Sequence, residues 1–199
     1  MPPLPRSPRQ GASRHVILFV AADPRNTTWL ALASECAAIA RELRASLGRD
    51  DFEFRSSWAA SAAELMHQLA ACQPTIVHVC GRGGARWPDA AELAVARLIA
   101  SAAPSIRVVV LDSCFSDAVA EVLRDLVDCV VGMTGDGDAA RAFTVGFYRA
   151  LGNRRSIRYA IAQTVARVAA RRIADHPLPV CRTRDGVSAD QIFLGAPGR

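Results

Sequence analysis

Short runs of strand length alternate along the chain with segments whose apolar residues recur every three or four positions. Continuous apolar runs are typical of strands buried on both faces of a parallel sheet, and the longer periodic segments are typical of amphipathic helices. The strands are predicted at 16–21, 52–55, 75–80, 106–111, 129–131 and 191–194. The helices are predicted at 29–47, 61–71, 88–102, 117–126, 139–151 and 157–173.

This alternation constrains the fold class more than any other feature of the chain. Strands that alternate with helices join through right-handed crossovers, so we expect an α/β fold with a mostly parallel sheet and helices on both faces. The 199 residues suffice for one full core, and neither a repeat nor a linker marks a second domain. We expect a flexible Pro- and Arg-rich leader at 1–14, one domain at 15–195 and a short tail at 196–199.

Two helix starts carry local signals. Ser61 is followed three residues later by Glu64, which is the pattern of a capping box. Asp138 is expected to cap the helix at 139–151, which ends at Gly152.

Composition excludes several classes of function. The net charge is +5, but every basic residue apart from histidine is an arginine, and the arginines are spread over the whole chain, which argues against a nucleic-acid partner. No run of about 18 uncharged apolar residues exists, so we expect no membrane partner. The six cysteines form no C-x-x-C pair, which predicts no metal site, no cofactor and free thiols in a reducing cytoplasm.

Two apolar runs end in small or polar residues: 75–80 leads into Gly81–Gly84, and 106–111 leads into 112–116. The carboxyl ends of parallel strands share one edge of a sheet, where such folds place their sites. Cys114 lies between a buried strand and a helix start, a position that lowers the pKa of a thiol and exposes its sulfur. The alternative is a small buried hydrophobe, and the residues alone leave both open.

A glycine cluster at 132–137, like the one at 81–84, could approach a phosphate with backbone N–H groups. Neither cluster fits the patterns of a P-loop or a dinucleotide fingerprint. A nucleotide- or phosphate-binding module is therefore kept as a further alternative.

The order and spacing of these segments resemble the caspase-like cysteine peptidases, in particular the bacterial CHAT-type domains. The resemblance runs over about 16–194. Residues 76–83 (IVHVCGRG) are similar to the strand that in this family ends in H-x-S-G-H-G, and 109–116 (VVLDSCFS) are similar to the nucleophile strand. The segments 17–24, 49–54 and 142–151 resemble other parts of the family. The resemblance implies a caspase-like three-layer sandwich.

Carried over by position, the resemblance makes Cys114 the nucleophile and places Arg82 where the family has its catalytic histidine. Gly83 would give its backbone N–H to the oxyanion, together with that of Cys114. Asp112 and Ser113 would contact the substrate, with Asp112 accepting a basic P1 side chain as in metacaspases.

Two departures change what the site can do. Arginine stays protonated and has no acceptor, so Arg82 can hold Cys114 as a thiolate but cannot take part in proton transfer. The interval between Arg82 and Cys114 is also shorter than the ~50 residues of caspases. His78, the nearest histidine, lies within the predicted strand and is expected to point away from the site or into the core.

The expected function is therefore a degenerate cysteine peptidase, a pseudopeptidase that binds a protein or peptide partner in a bacterial conflict or regulatory system. The alternative is an active cysteine endopeptidase that is completed by another histidine or by a partner chain. The resemblance also allows a homodimer that pairs through an edge strand.

Overall fold

The computed structural model describes residues 14–21, 29–58, 61–80, 89–112, 117–133, 137–170 and 179–195. Within these ranges, six strands form one sheet. They are β1 (His15–Ala21), β2 (Phe52–Ser57), β3 (Ile76–Cys80), β4 (Val108–Asp112), β5 (Cys129–Met133) and β6 (Pro179–Thr183). The strand order is β2-β1-β3-β4-β5-β6, and every pair is parallel except β5 with β6.

Among the described residues, six α-helices cover the sheet: α1 (Trp29–Ala45), α2 (Ala62–Cys72), α3 (Asp89–Ser101), α4 (Asp117–Arg124), α5 (Asp138–Gly152) and α6 (Ile157–Ala170). Helices α1, α5 and α6 share one apolar core with one face of the sheet. Helices α2, α3 and α4 share a second core with the other face. The two faces separate because alternate strand residues point to opposite sides, as His78 and Val79 do. The expected α/β sandwich with a mostly parallel sheet is confirmed.

The strand order changes direction at β1. The chain passes from β1 to β2 on one side and then returns to β3 on the other side of β1. In open α/β sheets, ligands bind outside the carboxyl ends of the strands where such a reversal occurs. The carboxyl ends of β1 and β3, with that of β4 beside them, are therefore the expected position of a ligand site in this fold.

Strands β1 to β5 and the six helices lie where the apolar pattern predicts them. The Ser61 hydroxyl accepts a hydrogen bond from the Glu64 N–H at 3.2 Å, which confirms the predicted cap of α2. The predicted cap at Asp138 is wrong by one residue. Gly137 is the N-cap, with φ of 95°, and no side chain caps this helix; Asp138 is in the first turn, where its charge complements the helix dipole.

The predicted strand at 191–194 is wrong. Ile192 and Leu194 are buried, which gives the segment the alternation of a strand. The backbone instead turns back on itself, and the carbonyls of Ala189 and Ile192 accept hydrogen bonds from the N–H groups of Arg158 and Ile157 at 3.1 Å. These carbonyls satisfy donors at the start of α6, which a helix cannot satisfy by itself. The sixth strand is β6, an edge strand that begins at a proline.

None of the helices in the described ranges combines the length and the apolar character that crossing a membrane requires.

One ion pair joins the two long helices on the first face and gives a pH prediction. Arg149 donates to both carboxylate oxygens of Glu42, at 2.6 and 2.8 Å, and this hydrogen bonding lowers the pKa of Glu42. Because the pKa is lowered in the folded state, the contribution is present above the unfolded-state pKa and is lost as the pH falls through the folded value.

We expect Glu42→Gln to lower the free energy of unfolding at pH 7 by about 0.5–1 kcal/mol, the upper part of the range for ion pairs near the surface, because this pair is bidentate and half-buried. The loss should shrink to zero as the pH falls below the usual range of a glutamate. Urea unfolding of both chains from pH 7 down to pH 3 measures it. A difference that stays constant over this range would contradict the assignment.

Candidate functional site

Three neighbouring strands end at the same level on one edge of the sheet. The last residue of β3, Cys80, pairs in register with the last residue of β1, Ala21, and with the last residue of β4, Asp112. The carboxyl ends of these three strands therefore lie at adjacent positions. This is the edge at which the strand order reverses.

The structure bears on only one of the site residues predicted from the sequence. Arg82, Gly83, Ser113 and Cys114 lie outside the described residues. Asp112 is fully buried at the end of β4, on the face covered by α1 and α5. Its carboxylate Oδ2 lies 3.6 Å from the Sγ of Cys80, so the side chain faces the core beneath the strand ends. Its role in accepting a basic side chain stays a prediction.

Asp112 belongs to a cluster of four metal-binding side-chain types. Its other members are Glu35 of α1 and His78 and Cys80 of β3, and all four are fully buried. One ligand atom from each of them lies within 4.8 Å of the others. The Cys80 Sγ is 3.6 Å from an Asp112 oxygen and 3.9 Å from a Glu35 oxygen. We call this set the buried cluster.

The imidazole of His78 is held by rings rather than by hydrogen bonds. It stacks on Tyr148 at 5.6 Å between centroids and meets Phe19 edge-on at 4.9 Å. Across the described part of the chain, neither ring nitrogen has a hydrogen-bond partner. Burial lowers the pKa of His78 to about 3, so the ring is neutral at physiological pH. The expectation that His78 points into the core is confirmed.

Tyr148 of α5 closes the cluster from the helix side. The ring is fully buried, and its hydroxyl has no hydrogen-bond partner among the described residues. Burial, together with nearby Glu35 and Cys80, raises the pKa of this hydroxyl well above its usual value. Tyr148 is therefore uncharged at physiological pH, and its ring packs against the His78 ring and fixes its plane.

Sequence reasoning did not bring these four residues together. They come from three elements, and their spacing fits no local metal-ligand pattern. Two signals were present. His78 and Cys80 are two apart and so share one face of a strand, and Glu35 interrupts the apolar stripe of α1 beside Cys36. Chemically, a neutral imidazole, a thiol and two carboxyl groups make a mixed donor set of nitrogen, sulfur and oxygen.

A pair of thiols lies at the other end of the strand order, on β5 and the edge strand β6. The Sγ atoms of Cys129 on β5 and Cys181 on β6 are 3.4 Å apart. Their contact raises the pKa of Cys129 and lowers that of Cys181, because one thiol donates to the other. Cys181 is partly exposed, so among the described cysteines it is the one expected to react first with an alkylating agent.

Comparison of the chain with protein-family models and with curated proteins finds no match to either.

Proposed function

We propose that this chain is a caspase-like domain of the CHAT type that keeps the shape of a cysteine peptidase site but has lost turnover. In this proposal it binds a protein or peptide partner in a bacterial signalling or conflict system. Cys114 occupies the nucleophile position, Arg82 the base position and Gly83 the oxyanion position, while Asp112 and Ser113 contact the partner.

The observation that carries the proposal is the register of β3 with β4. Cys80 and Asp112 are directly paired, and each is the last residue of its strand. Arg82 and Cys114 follow these two residues by the same number of positions. Two segments that leave neighbouring parallel strands at one level start within a strand spacing, ~4.8 Å, of each other. This supports a site in which Arg82 and Cys114 meet.

The proposed loss of turnover follows from the chemistry of the base. A cysteine peptidase needs a group that takes the thiol proton and later gives one to the leaving amine. A guanidinium has no acceptor and does not deprotonate in proteins. His78 is no substitute, because it is buried between two rings and its pKa is about 3. An active endopeptidase would therefore need a base from a partner chain or from a histidine elsewhere.

The environment in this proposal is the cytoplasm. In that compartment the close thiols of Cys129 and Cys181 would stay reduced.

The proposal predicts that the purified full chain does not cleave peptides that carry arginine or lysine at P1. Release of a fluorophore from such peptides measures turnover, and Cys114→Ala provides the background rate. Cleavage by the wild type that disappears in Cys114→Ala would overturn the proposal in favour of the active endopeptidase. Arg82→His tests the remaining site: a gain of cleavage that depends on Cys114 would show that only the base is missing.

A second prediction tests whether the two positions meet. An adjacent guanidinium stabilises a thiolate, so Cys114 should alkylate with iodoacetamide near pH 7 faster than Cys181, the most reactive described thiol. Arg82→Ala should slow alkylation of Cys114 about tenfold, which corresponds to a pKa rise of ~1 unit. Arg97→Ala, which removes an exposed arginine from α3, is the matched control. Equal rates in Arg82→Ala and the wild type would refute the contact.

A further inference from the structure

We propose that the buried cluster of Glu35, His78, Cys80 and Asp112 is a metal site that takes a zinc-class divalent ion. Zinc is bound in proteins by cysteine, histidine and carboxylate side chains. The cluster contains one cysteine, one histidine and two carboxylates. The site shares Asp112 with the proposed partner contacts, but it uses neither Cys114 nor Arg82.

The distances fit a tetrahedral ion. A sulfur at ~2.3 Å and an oxygen at ~2.1 Å from a tetrahedral zinc lie ~3.6 Å apart. The Cys80 Sγ is 3.6 Å from the Asp112 oxygen and 3.9 Å from the Glu35 oxygen. The thiol has a single proton, so it can form a full hydrogen bond with only one of these two oxygens, whereas a metal ion engages both. All four ligand atoms lie within 4.8 Å of one another, so small side-chain rotations bring them onto one ion.

His78 supplies the independent observation. It is completely buried, one of its nitrogens lies within the cluster, and neither nitrogen is hydrogen-bonded among the described residues. An imidazole nitrogen buried without a hydrogen bond costs free energy, and coordination of a metal ion removes that cost for the nitrogen that binds it. The stacked Tyr148 ring orients the imidazole, in place of the hydrogen bond to the other ring nitrogen that usually orients a metal-binding histidine.

The donor set selects the class of ion. Magnesium and calcium prefer shells made only of oxygen, so a thiolate and an imidazole disfavour both. Four protein ligands and full burial are typical of a structural zinc site. When the ion binds, the Cys80 S–H bond breaks, a zinc–thiolate bond forms and the proton passes to solvent. No electrons are transferred. The bound ion would link α1, β3 and β4 at the carboxyl ends of the two strands.

The test is metal binding by the full chain after treatment with a chelator. We expect one equivalent of Zn²⁺ per chain in competition with a chromophoric chelator, and a thiolate charge-transfer band when Co²⁺ replaces it. X-ray absorption of the zinc-loaded wild type should give one sulfur and three nitrogen or oxygen neighbours. Cys80→Ala should abolish the band and Cys36→Ala, a buried thiol outside the cluster, should keep it. His78→Phe should weaken zinc binding at least tenfold, and His67→Phe, on the exposed side of α2, should not.

Binding of no equivalent by the folded wild type would overturn the proposal and leave a metal-free hydrogen-bonded core cluster. A zinc shell without sulfur, or the same affinity in wild type and His78→Phe, would overturn it as well. The absorption measurement needs only the wild type, so it decides the proposal even where a variant does not fold. Neither readout depends on proteolysis, so failure of the metal proposal and failure of the proposed loss of turnover are distinguishable.

Discussion

Tyr148→Ala is expected to lower the free energy of unfolding by about 3–5 kcal/mol, whereas Tyr148→Phe should leave it unchanged or raise it by up to ~1 kcal/mol. The ring is fully buried against His78 and Phe147, so alanine leaves a cavity that the two-sided packing cannot close. The hydroxyl is buried without a hydrogen-bond partner in the described ranges, so its removal forfeits no bond. Urea unfolding at pH 7 in a chelating buffer measures both variants.

The phenylalanine variant is the control for the alanine variant, because it keeps the ring and removes only the oxygen. Should Tyr148→Phe lose more than ~1 kcal/mol, the hydroxyl would have to be engaged in a hydrogen bond. That result would show that Tyr148 contributes a hydrogen bond as well as the packing of its ring on His78.

Gly152→Ala is expected to destabilise the chain by about 1–3 kcal/mol, which is the usual range for overpacking. Gly152 ends α5 where that helix meets the end of α1, and its carbonyl accepts a hydrogen bond from the Gly48 N–H at 2.8 Å. A Cβ at Gly152 would lie 2.5 Å from the Oγ and 2.7 Å from the Cβ of Ser46. The helix ends would have to separate to admit it.

Removal of the opposing side chain should reverse the effect. In the double variant Ser46→Gly with Gly152→Ala, both contacting atoms of Ser46 are gone. The free energy of unfolding of the double variant should be at least ~1 kcal/mol higher than the value obtained by adding the losses of the two single variants, as for other residues in direct contact. Additive single changes would mean that the cost has another origin than this contact.

Four of the first five strands, β1, β3, β4 and β5, could be predicted from the sequence because each is a run of buried apolar residues. β2 could be predicted because its apolar and polar residues alternate at the start of the strand. β6 could not be predicted in either way. Its sequence PVCRT is half-exposed, begins with a proline and has no apolar alternation, since an edge strand has only one neighbour to pack against. The opposite error at 191–194 has a related cause. The side chains of Ile192 and Leu194 pack in the core, while the backbone carbonyls of this region accept hydrogen bonds from the first N–H groups of α6.

The candidate site divides in the same way. Cys114 and Arg82 were found through resemblance of local segments, which needs no knowledge of contacts. The buried cluster depends on Glu35 in α1 approaching strands that follow it by more than forty residues. The spacing of residues within one helix or strand does not predict a contact between such distant segments. The signals in the sequence were polar residues on the apolar face of each element, and each such residue alone is compatible with an ordinary core.

The two faces of the sheet become covered at different times during synthesis. The core under α2, α3 and α4 is complete once Val130 has been made. The opposite face also needs α5, α6 and the buried residues Ala189, Ile192 and Leu194. About 60 further residues must be added, which at ~5–20 residues per second takes on the order of several seconds. Throughout that interval the nascent chain presents the apolar side of its central strands to the cell, so this half of the core is where a chaperone would be needed.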